Sequence, residues 1–453
     1  MKKKQIVVLG AGESGTGAAI LARQLGHAVF VSDKSPVKPE FKAQLNEAGI
    51  AWEEGQHTMD KVLKADEVIK SPGIPETTEL MRSIRAKGIP VIGEIELGYR
   101  HAGPCTIVAI TGTNGKTTTT NLVYHLLKTA GLNVRMAGNV GKSFAEVVAE
   151  DLAKGNLSKD RVFVLEVSSF QLDDIATFKP DISILLNITP DHLDRYGYEM
   201  ANYIRSKFRI AMNQRRGHLF ITNANDPHIA GFLSGNPDHV RCRMEKVRRS
   251  DLKNGYVRIG RLMAFDLAST TLKGPHNGFN AACAIRAALR LGVRQGDILE
   301  GLATFNPPPH RLEKVAEANG VLWINDSKAT NVDSTFYALQ AMERPTVWVL
   351  GGQDKGNDYQ PLVPLARKAV KAIVCLGIDN KKIVEAFKGL KKTIVETRSA
   401  TEAVEAAARL ADEGDAVLLS PCCASFDLFK NYEDRGDQFK AAVHELIQKN
   451  NKS

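Results

Sequence analysis

Residues 106–127 read TIVAITGTNGKTTTTNLVYHLL, and this stretch decides the fold of the central part of the chain. A short β-branched and apolar run leads into a glycine loop, and a helical pattern follows the loop. Backbone N–H groups at the start of such a helix, its positive dipole end, Lys116 and a following hydroxyl group together suit a polyphosphate. The loop is not a complete Walker A motif, because Ile110 stands where GxxxxGK[ST] requires its first glycine. The strand–loop–helix context still predicts a nucleoside triphosphate site, with Lys116 expected to face solvent when no nucleotide is bound.

A second glycine loop, GAGESG at residues 10–15, directly follows the apolar run IVVL. It fits the GxGxxG pattern of dinucleotide-binding turns, and Asp33 ends the next β-branched run at the position of an NAD ribose ligand. This motif alone favours a dinucleotide-dependent dehydrogenase or a redox sensor. The rest of the chain offers no hydride-transfer motif in its support.

Short apolar runs that end in Gly, Ser, Asn or Asp recur along the chain and alternate with helical patterns, such as those at residues 117–130 and 401–413. This alternation predicts an α/β protein with buried parallel strands. Two stretches interrupt it, HAGP at 101–104 and NPPPHR at 306–311, whose three prolines cannot continue a helix or a central strand. We therefore expect three domains, at residues 1–102, 103–307 and 308–453.

Composition and charge narrow the class of protein. The 453 residues are 43% hydrophobic and 25% charged, as in a soluble globular protein of several domains. No apolar run approaches the roughly 18 residues that span a bilayer. The N-terminal MKKK precedes only four apolar residues, whereas a secretory signal needs about 7–15. We expect a cytoplasmic protein that does not insert into a membrane.

The net charge of +9 is concentrated in residues 201–261, which contain 13 Lys and Arg against 4 Asp and Glu. A nucleic-acid-binding ATPase would explain this surplus and the loop at Gly112. The stretch has few aromatic residues and no nucleic-acid recognition motif, so a solvated basic face near an anionic substrate is favoured. The six cysteines lack metal-ligand spacing and are expected to be buried small hydrophobes.

Six motifs occur in a fixed order: GTNGKTTT, LEVSSFQL, NITPDHLDRY, GPHNGFNA, PPPHRLE and NDSKATN. With them, essentially the whole chain resembles the Mur ligases of peptidoglycan synthesis. SPGIP at 71–75, SSFQL and SPCCASFDLFKNYEDRG resemble the members that add D-glutamate. The resemblance implies a Rossmann-like N-terminal domain that binds a UDP substrate, a central P-loop ATPase-type domain with a parallel sheet, and a C-terminal Rossmann-like α/β domain that binds the amino acid.

The resemblance also implies an activity. An ATP-dependent, ADP-forming ligase would join D-glutamate to UDP-N-acetylmuramoyl-L-alanine through an acyl phosphate, as a monomer that uses ATP and two Mg²⁺ ions. The first glycine loop would then hold a uridine nucleotide as the substrate handle, and the second would hold ATP. Other Mur ligases and folylpolyglutamate synthase remain alternatives, although the folate enzyme lacks a separate UDP-binding domain.

The resemblance assigns residues around ATP and the metal. The ATP contacts are Gly112, Thr113, Asn114, Gly115, Lys116, Thr117, Thr118, Asn277, Asn280, His310, Arg311 and Asp326. The Mg²⁺ ligands are Thr117, Glu166, His192 and Lys207, the last as a carbamate; Glu166 also fits a Walker-B-like carboxylate at a strand end. The catalytic set is Lys116, His192, Lys207 and Lys328, with Lys328 near the transferred phosphate.

The resemblance further assigns the two remaining substrates. The contacts to the UDP substrate are Glu13, Ser14, Asp33, Gly73, Asn139, Ser168 and Gln171. Those to D-glutamate are Thr330, Lys355, Ser425 and Phe426, with Tyr432 as a pocket wall. Lys368 and Lys371 lie near Lys355 in the sequence, so the matching lysine stays open at this point.

Overall fold

A computed structural model describes residues 3–260, 262–272 and 274–450. The chain divides into two compact units. The first consists of Met1–Thr270 and Gly278–Phe305, and the second of Thr271–Asn277 and Asn306–Ser453. Each unit is an α/β structure built on mainly parallel sheets, which confirms the predicted fold class.

The first unit begins with a parallel sheet and its helices. The strands are β1 (Gln5–Leu9), β2 (Ala28–Ser32), β3 (Ala51–Glu53), β4 (Glu67–Lys70) and β5 (Val91–Ile92), and the helices are α1 (Glu13–Gln24), α2 (Pro39–Glu47), α3 (Met59–Val62), α4 (Glu79–Ala86) and α5 (Glu94–His101). The strand order is β3-β2-β1-β4-β5. A Cβ atom on Gly15 would lie 1.8 Å from the Gly10 carbonyl oxygen, so glycine allows α1 to pack directly on the first glycine loop.

A second parallel sheet follows in the same unit. Its strands are β6 (Thr106–Thr111), β7 (Val134–Gly138), β8 (Val162–Glu166), β9 (Ile182–Leu185), β10 (Leu219–Asn223) and β11 (Arg243–Val247), and its helices are α6 (Lys116–Thr129), α7 (Phe144–Ala153), α8 (Ser169–Asp173), α9 (Met200–Phe208) and α10 (Pro227–Gly235). The order is β11-β10-β9-β6-β8-β7. Because β8 and β9 flank β6, the segments that leave their carboxyl ends surround the second glycine loop.

The unit closes with an antiparallel sheet and two helices. These elements are β12 (Leu252–Lys253), β13 (Tyr256–Ile259), β14 (Met263–Asp266), α11 (Pro275–Arg290), whose residues up to Asn277 belong to the second unit, and α12 (Gln295–Thr304). The basic surplus falls partly on the edge strand β11, where Arg243 and Lys246 are exposed. Charged side chains on an edge strand protect it from pairing with other chains.

The two parallel sheets of the first unit share one apolar core, which extends from Ile6 in β1 to Phe220 in β10. A buried carboxylate of α5 adds hydrogen bonds between α5 and the segment that precedes β9. Glu96 accepts hydrogen bonds of 2.9 Å from the backbone N–H groups of Ala176 and Phe178. The first two predicted domains thus lie in one compact unit, and their boundary near residue 102 stays a prediction.

The second unit is built on a sheet of strands β15 (Glu313–Ala318), β16 (Val321–Asn325), β17 (Thr346–Gly351), β18 (Val370–Leu376), β19 (Thr393–Thr397) and β20 (Ala416–Cys422). Its helices are α13 (Val332–Gln340), α14 (Val363–Ala369), α15 (Lys381–Phe387), α16 (Ala400–Leu410) and α17 (Tyr432–Asn450). The order is β15-β16-β20-β17-β18-β19, and β15 is antiparallel to β16 while the other pairs are parallel. Two apolar clusters cover its two faces.

Two further findings concern the described residues as a whole. None of their helices is long and apolar enough to cross a membrane. All six cysteines are free thiols; four are buried, and Cys105 and Cys242 are half-buried.

Candidate active site

A cavity of about 560 Å³ lies beside the first glycine loop. The predicted UDP-substrate contacts Glu13, Ser14, Asp33 and Gly73 all line it. Asp33 also organises the loop, because its Oδ2 atom accepts a 2.7 Å hydrogen bond from the N–H group of Ala11. The volume falls within the roughly 300–1,000 Å³ of small-molecule sites.

The other three predicted UDP-substrate contacts lie elsewhere in the first unit. Asn139 donates a 2.8 Å hydrogen bond from Nδ2 to Oε1 of Glu166. Ser168 and Gln171 form the capping box at the start of α8. The predicted contacts to the UDP substrate therefore form two sets. One lines the cavity, and the other lies near Glu166 at the carboxyl end of β8.

The second glycine loop connects β6 to α6 as predicted. Gly115, the N-cap of α6, has φ 82°, and a Cβ atom there would lie 2.7 Å from Oδ1 of Asn280. Asn280, a predicted ATP contact, is 4% exposed and packs directly on the second glycine loop. Asn277, the other predicted contact on α11, belongs to the second unit. Thr117 is half-buried and Thr118 buried in the first turn of α6.

Lys116 is only partly exposed, whereas the sequence predicts that it faces solvent. It is half-buried, and its Nζ atom donates hydrogen bonds of 2.9 Å and 2.7 Å to the carbonyl oxygens of Gly112 and Thr113. The loop folds back so that these carbonyl groups bind the ammonium group of the first helical residue.

Residues after β9 that were not predicted from the sequence hold the second glycine loop in place through hydrogen bonds. Asn187 accepts a 2.8 Å hydrogen bond at Oδ1 from the N–H group of Asn114, and the N–H group of Thr189 donates to Oγ1 of Thr113 at 3.0 Å. Both lie in the quoted NITPDHLDRY motif. Their partners are more than 70 residues away, so the local pattern gave no signal for these bonds.

Glu166 ends β8 and is 2% exposed. Its Oε1 atom accepts from Asn139, whereas its buried Oε2 atom has no hydrogen-bond partner among the described residues. A buried carboxylate oxygen without a partner is costly, and a hard cation such as Mg²⁺ binds oxygen ligands. The side chain fits the predicted metal ligand.

Lys207 lies on α9 and is 1% exposed. Its Nζ atom donates a 2.8 Å hydrogen bond to the carbonyl oxygen of Gly112 and lies 4.5 Å from the centre of the Tyr203 ring. Burial lowers the pKa of Lys207 well below its ordinary value, and the charge of Lys116 lowers this pKa further. The structure brings Lys116 and Lys207 to one carbonyl oxygen.

His192 lies on the segment after β9 and has φ 52°. Its Nε2 atom is 3.6 Å from Oδ2 of Asp191, and its ring makes an edge contact with Phe170 at 5.2 Å between centres. Among the described residues, no three His, Cys, Asp or Glu side chains are grouped to hold a metal ion. The predicted ligand set relies instead on a threonine hydroxyl and a modified lysine.

In the second unit, the predicted nucleotide residues meet at the carboxyl end of β16. His310 is 7% exposed and contacts Nδ2 of Asn325 through Nδ1 at 2.9 Å. Asp326 accepts from Oγ of Ser420 at 2.9 Å, and burial raises the pKa of Asp326 to about 7, although neighbouring Arg311 opposes this. The backbone N–H group of Lys328 donates to the His310 carbonyl oxygen at 3.1 Å.

The predicted D-glutamate residues also gather at carboxyl strand ends of the second unit. Gln353 and Ala424 exchange backbone hydrogen bonds of 2.9 Å and 3.2 Å, which pair the loop of Lys355 with the loop of Ser425. Ser425 is 2% exposed, whereas Phe426 is 68% exposed. The remaining two members are Thr330, which is half-buried after β16, and Tyr432, whose ring centre lies 3.5 Å from Nζ of Lys328.

The alternative lysines lie elsewhere. Lys371 is at the amino end of β18 and pairs with Asp412 and Asp415, and Lys368 precedes it on α14. The amino ends of parallel strands lie at one end of a sheet and the carboxyl ends at the other. Of the three lysines, only Lys355 lies at the end of the sheet that carries Ser425.

Three family models match the chain. The Mur ligase MurD-like N-terminal domain covers residues 4–93, the Mur ligase middle domain 110–288, and the Mur ligase glutamate ligase domain 310–423. The chain belongs to the Mur ligase family. As such it is an ATP-dependent, ADP-forming amide ligase of peptidoglycan precursor synthesis. This decides against the dehydrogenase and the nucleic-acid-binding ATPase that single motifs left open, and against the folate enzyme that the resemblance left open.

Individual relatives agree with this membership. The UDP-N-acetylmuramoylalanine–D-glutamate ligase of Christiangramia forsetii is 50% identical over 451 residues, which are 98% of this chain and 100% of the relative. The ligase of the same name from Bacteroides fragilis is 48% identical with the same coverage. That of Salinibacter ruber is 37% identical over 463 residues, or 99% of each chain.

Solved Mur ligase structures share the fold. UDP-N-acetylmuramate-alanine ligase MurC from Thermotoga maritima aligns over 98% of this chain and 100% of its own, with a TM-score of 0.61 and 19% identity. MurF from Acinetobacter baumannii aligns over 97% of this chain and 93% of its own, with a TM-score of 0.62 and 16% identity. At these identities the likeness concerns the fold.

Proposed function

We propose that this ligase adds D-glutamate to UDP-N-acetylmuramoyl-L-alanine, as a monomer in the cytoplasm. The observation that carries the proposal is that relatives named for this reaction are 37–50% identical to this chain over nearly its full length. The pairing of the Lys355 and Ser425 loops supports it, since D-glutamate brings two carboxylates that need a cation and hydrogen-bond donors. The domain boundaries at residues 102 and 307 belong to the same proposal.

The reaction needs activation because a carboxylate is a poor electrophile at neutral pH. The γ-phosphoryl group of ATP passes to the carboxylate of the L-alanyl substrate, which gives ADP and an acyl phosphate. The amine of D-glutamate then attacks the acyl carbon, the C–N bond forms, and inorganic phosphate leaves. Such transfers are catalysed mainly by positioning and charge neutralisation. We assign Lys116 to the β- and γ-phosphates and Lys328 to the transferred phosphate.

The candidate metal ligands fit Mg²⁺. Thr117 and Glu166 would hold one ion, and the Oε2 atom of Glu166 lacks another partner among the described residues. His192 and carbamylated Lys207 would hold the second. An ammonium group cannot bind a cation, but a buried neutral amine can add CO₂ and become a carboxylate-like ligand. Bound Mg²⁺ would neutralise charge on the transferring phosphoryl group.

The substrate residues fall into three groups. Glu13, Ser14, Asp33 and Gly73 would hold the uridine nucleotide in the cavity beside the first loop. Asn139, Ser168 and Gln171, near Glu166, would contact the part of this substrate that reaches the reaction centre. The D-glutamate pocket would comprise Thr330, Lys355, Ser425, Phe426 and Tyr432.

Phosphate release from ATP tests the proposed function. The assay is run with UDP-N-acetylmuramoyl-L-alanine, with D-glutamate, and with both. We expect sustained release only with both substrates, and L-glutamate should be a poor replacement. Equal use of L-alanine, L-lysine or meso-diaminopimelate in place of D-glutamate would assign the chain to another reaction of the family.

A further inference from the structure

The loop at residues 71–75, here called the uridine loop, lines the cavity beside the first glycine loop. Arg195, from the segment after β9, holds two successive carbonyl groups of this loop. Its NH1 atom donates to the Gly73 oxygen at 3.0 Å, and its NH2 atom donates to the Pro72 oxygen at 3.1 Å. The planar guanidinium fork therefore fixes the loop and the arginine in one geometry.

Arg195 is also linked to a predicted catalytic residue. It belongs to a 3₁₀-helix, Leu193–Tyr196, for which His192 is the N-cap. Its guanidinium carbon lies 4.6 Å from the centre of the Phe170 ring. The same ring contacts His192 at 5.2 Å between centres. One aromatic ring thus touches both the arginine on the uridine loop and His192.

We infer that Arg195 is a positioning residue that couples occupation of the uridine cavity to the placement of His192 for phosphoryl transfer. The inference rests on the proposed function, which places the UDP substrate in this cavity. A substrate that orders the uridine loop fixes the Pro72 and Gly73 carbonyl groups, and through them Arg195, Phe170 and His192. Charged hydrogen bonds of this kind are about twice as strong as neutral ones, so the link is stiff.

The uridine loop has a second attachment that does not involve Arg195. Arg195 can therefore be replaced without the loop losing all of its contacts. Lys70 is 3% exposed; its Nζ atom donates to the Ile74 oxygen at 3.2 Å and lies 3.1 Å from Oδ2 of Asp174. With Lys70 in place, Arg195→Ala is expected to fold with an unchanged Tm. Arg195→Lys keeps the charge and loses the fork.

Steady-state kinetics of both variants provide the test. Arg195→Ala should raise KM for UDP-N-acetylmuramoyl-L-alanine about tenfold and lower kcat about tenfold, with KM for ATP within twofold of wild type. Arg195→Lys should lie between, because an ammonium group replaces only part of the fork. The matched control is Arg294→Ala, which removes an exposed arginine paired with Asp297 at 2.9 Å at the start of α12 in the same unit, and should leave both constants unchanged.

Three outcomes would overturn the inference. If KM for UDP-N-acetylmuramoyl-L-alanine rises while kcat is unchanged, Arg195 only holds the uridine loop and does not position His192. Unchanged kcat and KM would remove it from the reaction. An equal rise in KM for ATP together with a lower Tm would indicate general loosening. Failure of the proposed function is separate, since it would appear as no D-glutamate-dependent product from the wild-type enzyme.

Discussion

The Nζ atom of Lys207 donates a 2.8 Å hydrogen bond to the carbonyl oxygen of Gly112, which also accepts from Lys116. Two lysines that are 91 positions apart in the sequence therefore meet at the second glycine loop. Two ammonium groups that share one acceptor oxygen repel each other, and burial removes the water that would screen their charges. The arrangement favours a neutral amine on the more deeply buried Lys207.

Lys207→Ala should lower ligase activity ~100-fold or more, because the carbamate that would bind Mg²⁺ can no longer form. Small carboxylates such as formate or acetate should restore part of the activity by occupying the vacated position. Lys154→Ala, which changes an exposed lysine of the same unit, serves as the control. Absence of rescue, together with an unmodified ε-amine in crystals, would count against the carbamate.

Glu166→Gln keeps the size of the side chain and removes its charge. If Oε2 binds Mg²⁺, the variant should lose roughly 100-fold or more in kcat and need a higher Mg²⁺ concentration for half-maximal rate. Glu150→Gln on α7, where the carboxylate pairs with Lys142, should behave like wild type. The idea fails if Glu166→Gln retains the wild-type dependence on Mg²⁺.

Lys355→Ala should raise KM for D-glutamate about tenfold to a hundredfold, because a charged hydrogen bond to a carboxylate contributes roughly 1.5–3 kcal/mol. KM for ATP should change less. Lys371→Ala is the matched control, since that lysine lies at the other end of the strands. A larger effect from Lys371→Ala than from Lys355→Ala would reverse the assignment.

The buried carboxyl group of Glu94 gives a pH-dependent term in stability. Its oxygen atoms accept from the Ala145 N–H group and Nε2 of Gln171, both at 3.1 Å, yet burial raises its pKa from 4.5 to about 7. The folded state then holds this proton more tightly than the unfolded state. The Glu94 contribution to the free energy of unfolding should fall by roughly 3 kcal/mol as pH rises from about 4.5 to about 7.

Denaturant titrations at several pH values measure this term. The Glu94→Gln variant cannot titrate at this position, so its free energy of unfolding should vary less with pH across that interval than the wild-type value. The comparison concerns the slope of the free energy of unfolding against pH, since the amide also alters the hydrogen bonding at this position. Identical slopes for both proteins would show that the Glu94 carboxyl group titrates normally.

Much of the fold could be predicted because its strands are buried on both faces. Runs such as IVVL in β1 and VFVL in β8 are continuous apolar segments, and each corresponds to a parallel strand. The antiparallel edge strand β15 cannot be recognised in this way, since EKVAEA is half-exposed and lacks such a run. Apolar patterns in a sequence indicate which strands are buried, but they do not indicate whether a strand pairs in a parallel or an antiparallel direction.

The candidate site was predictable where motifs carry it and not where tertiary contacts complete it. The loop at Gly112 and the carboxylate of Glu166 stand at strand ends that can be recognised from the sequence. The return of the Lys116 side chain onto its own loop depends on the local path of the backbone. The contact of Arg195 with Pro72 and Gly73 joins segments more than 120 positions apart, and no periodicity records such a pairing.

The backbone bridge between Gln353 and Ala424 bears on how enzymes of this fold diversify. Main-chain hydrogen bonds do not depend on side-chain identity, so the spacing of the two loops survives exchange of the residues they carry. Such a frame would let the side chains of the proposed D-glutamate pocket change by point substitution while the sheet and the spacing of the two loops stay the same.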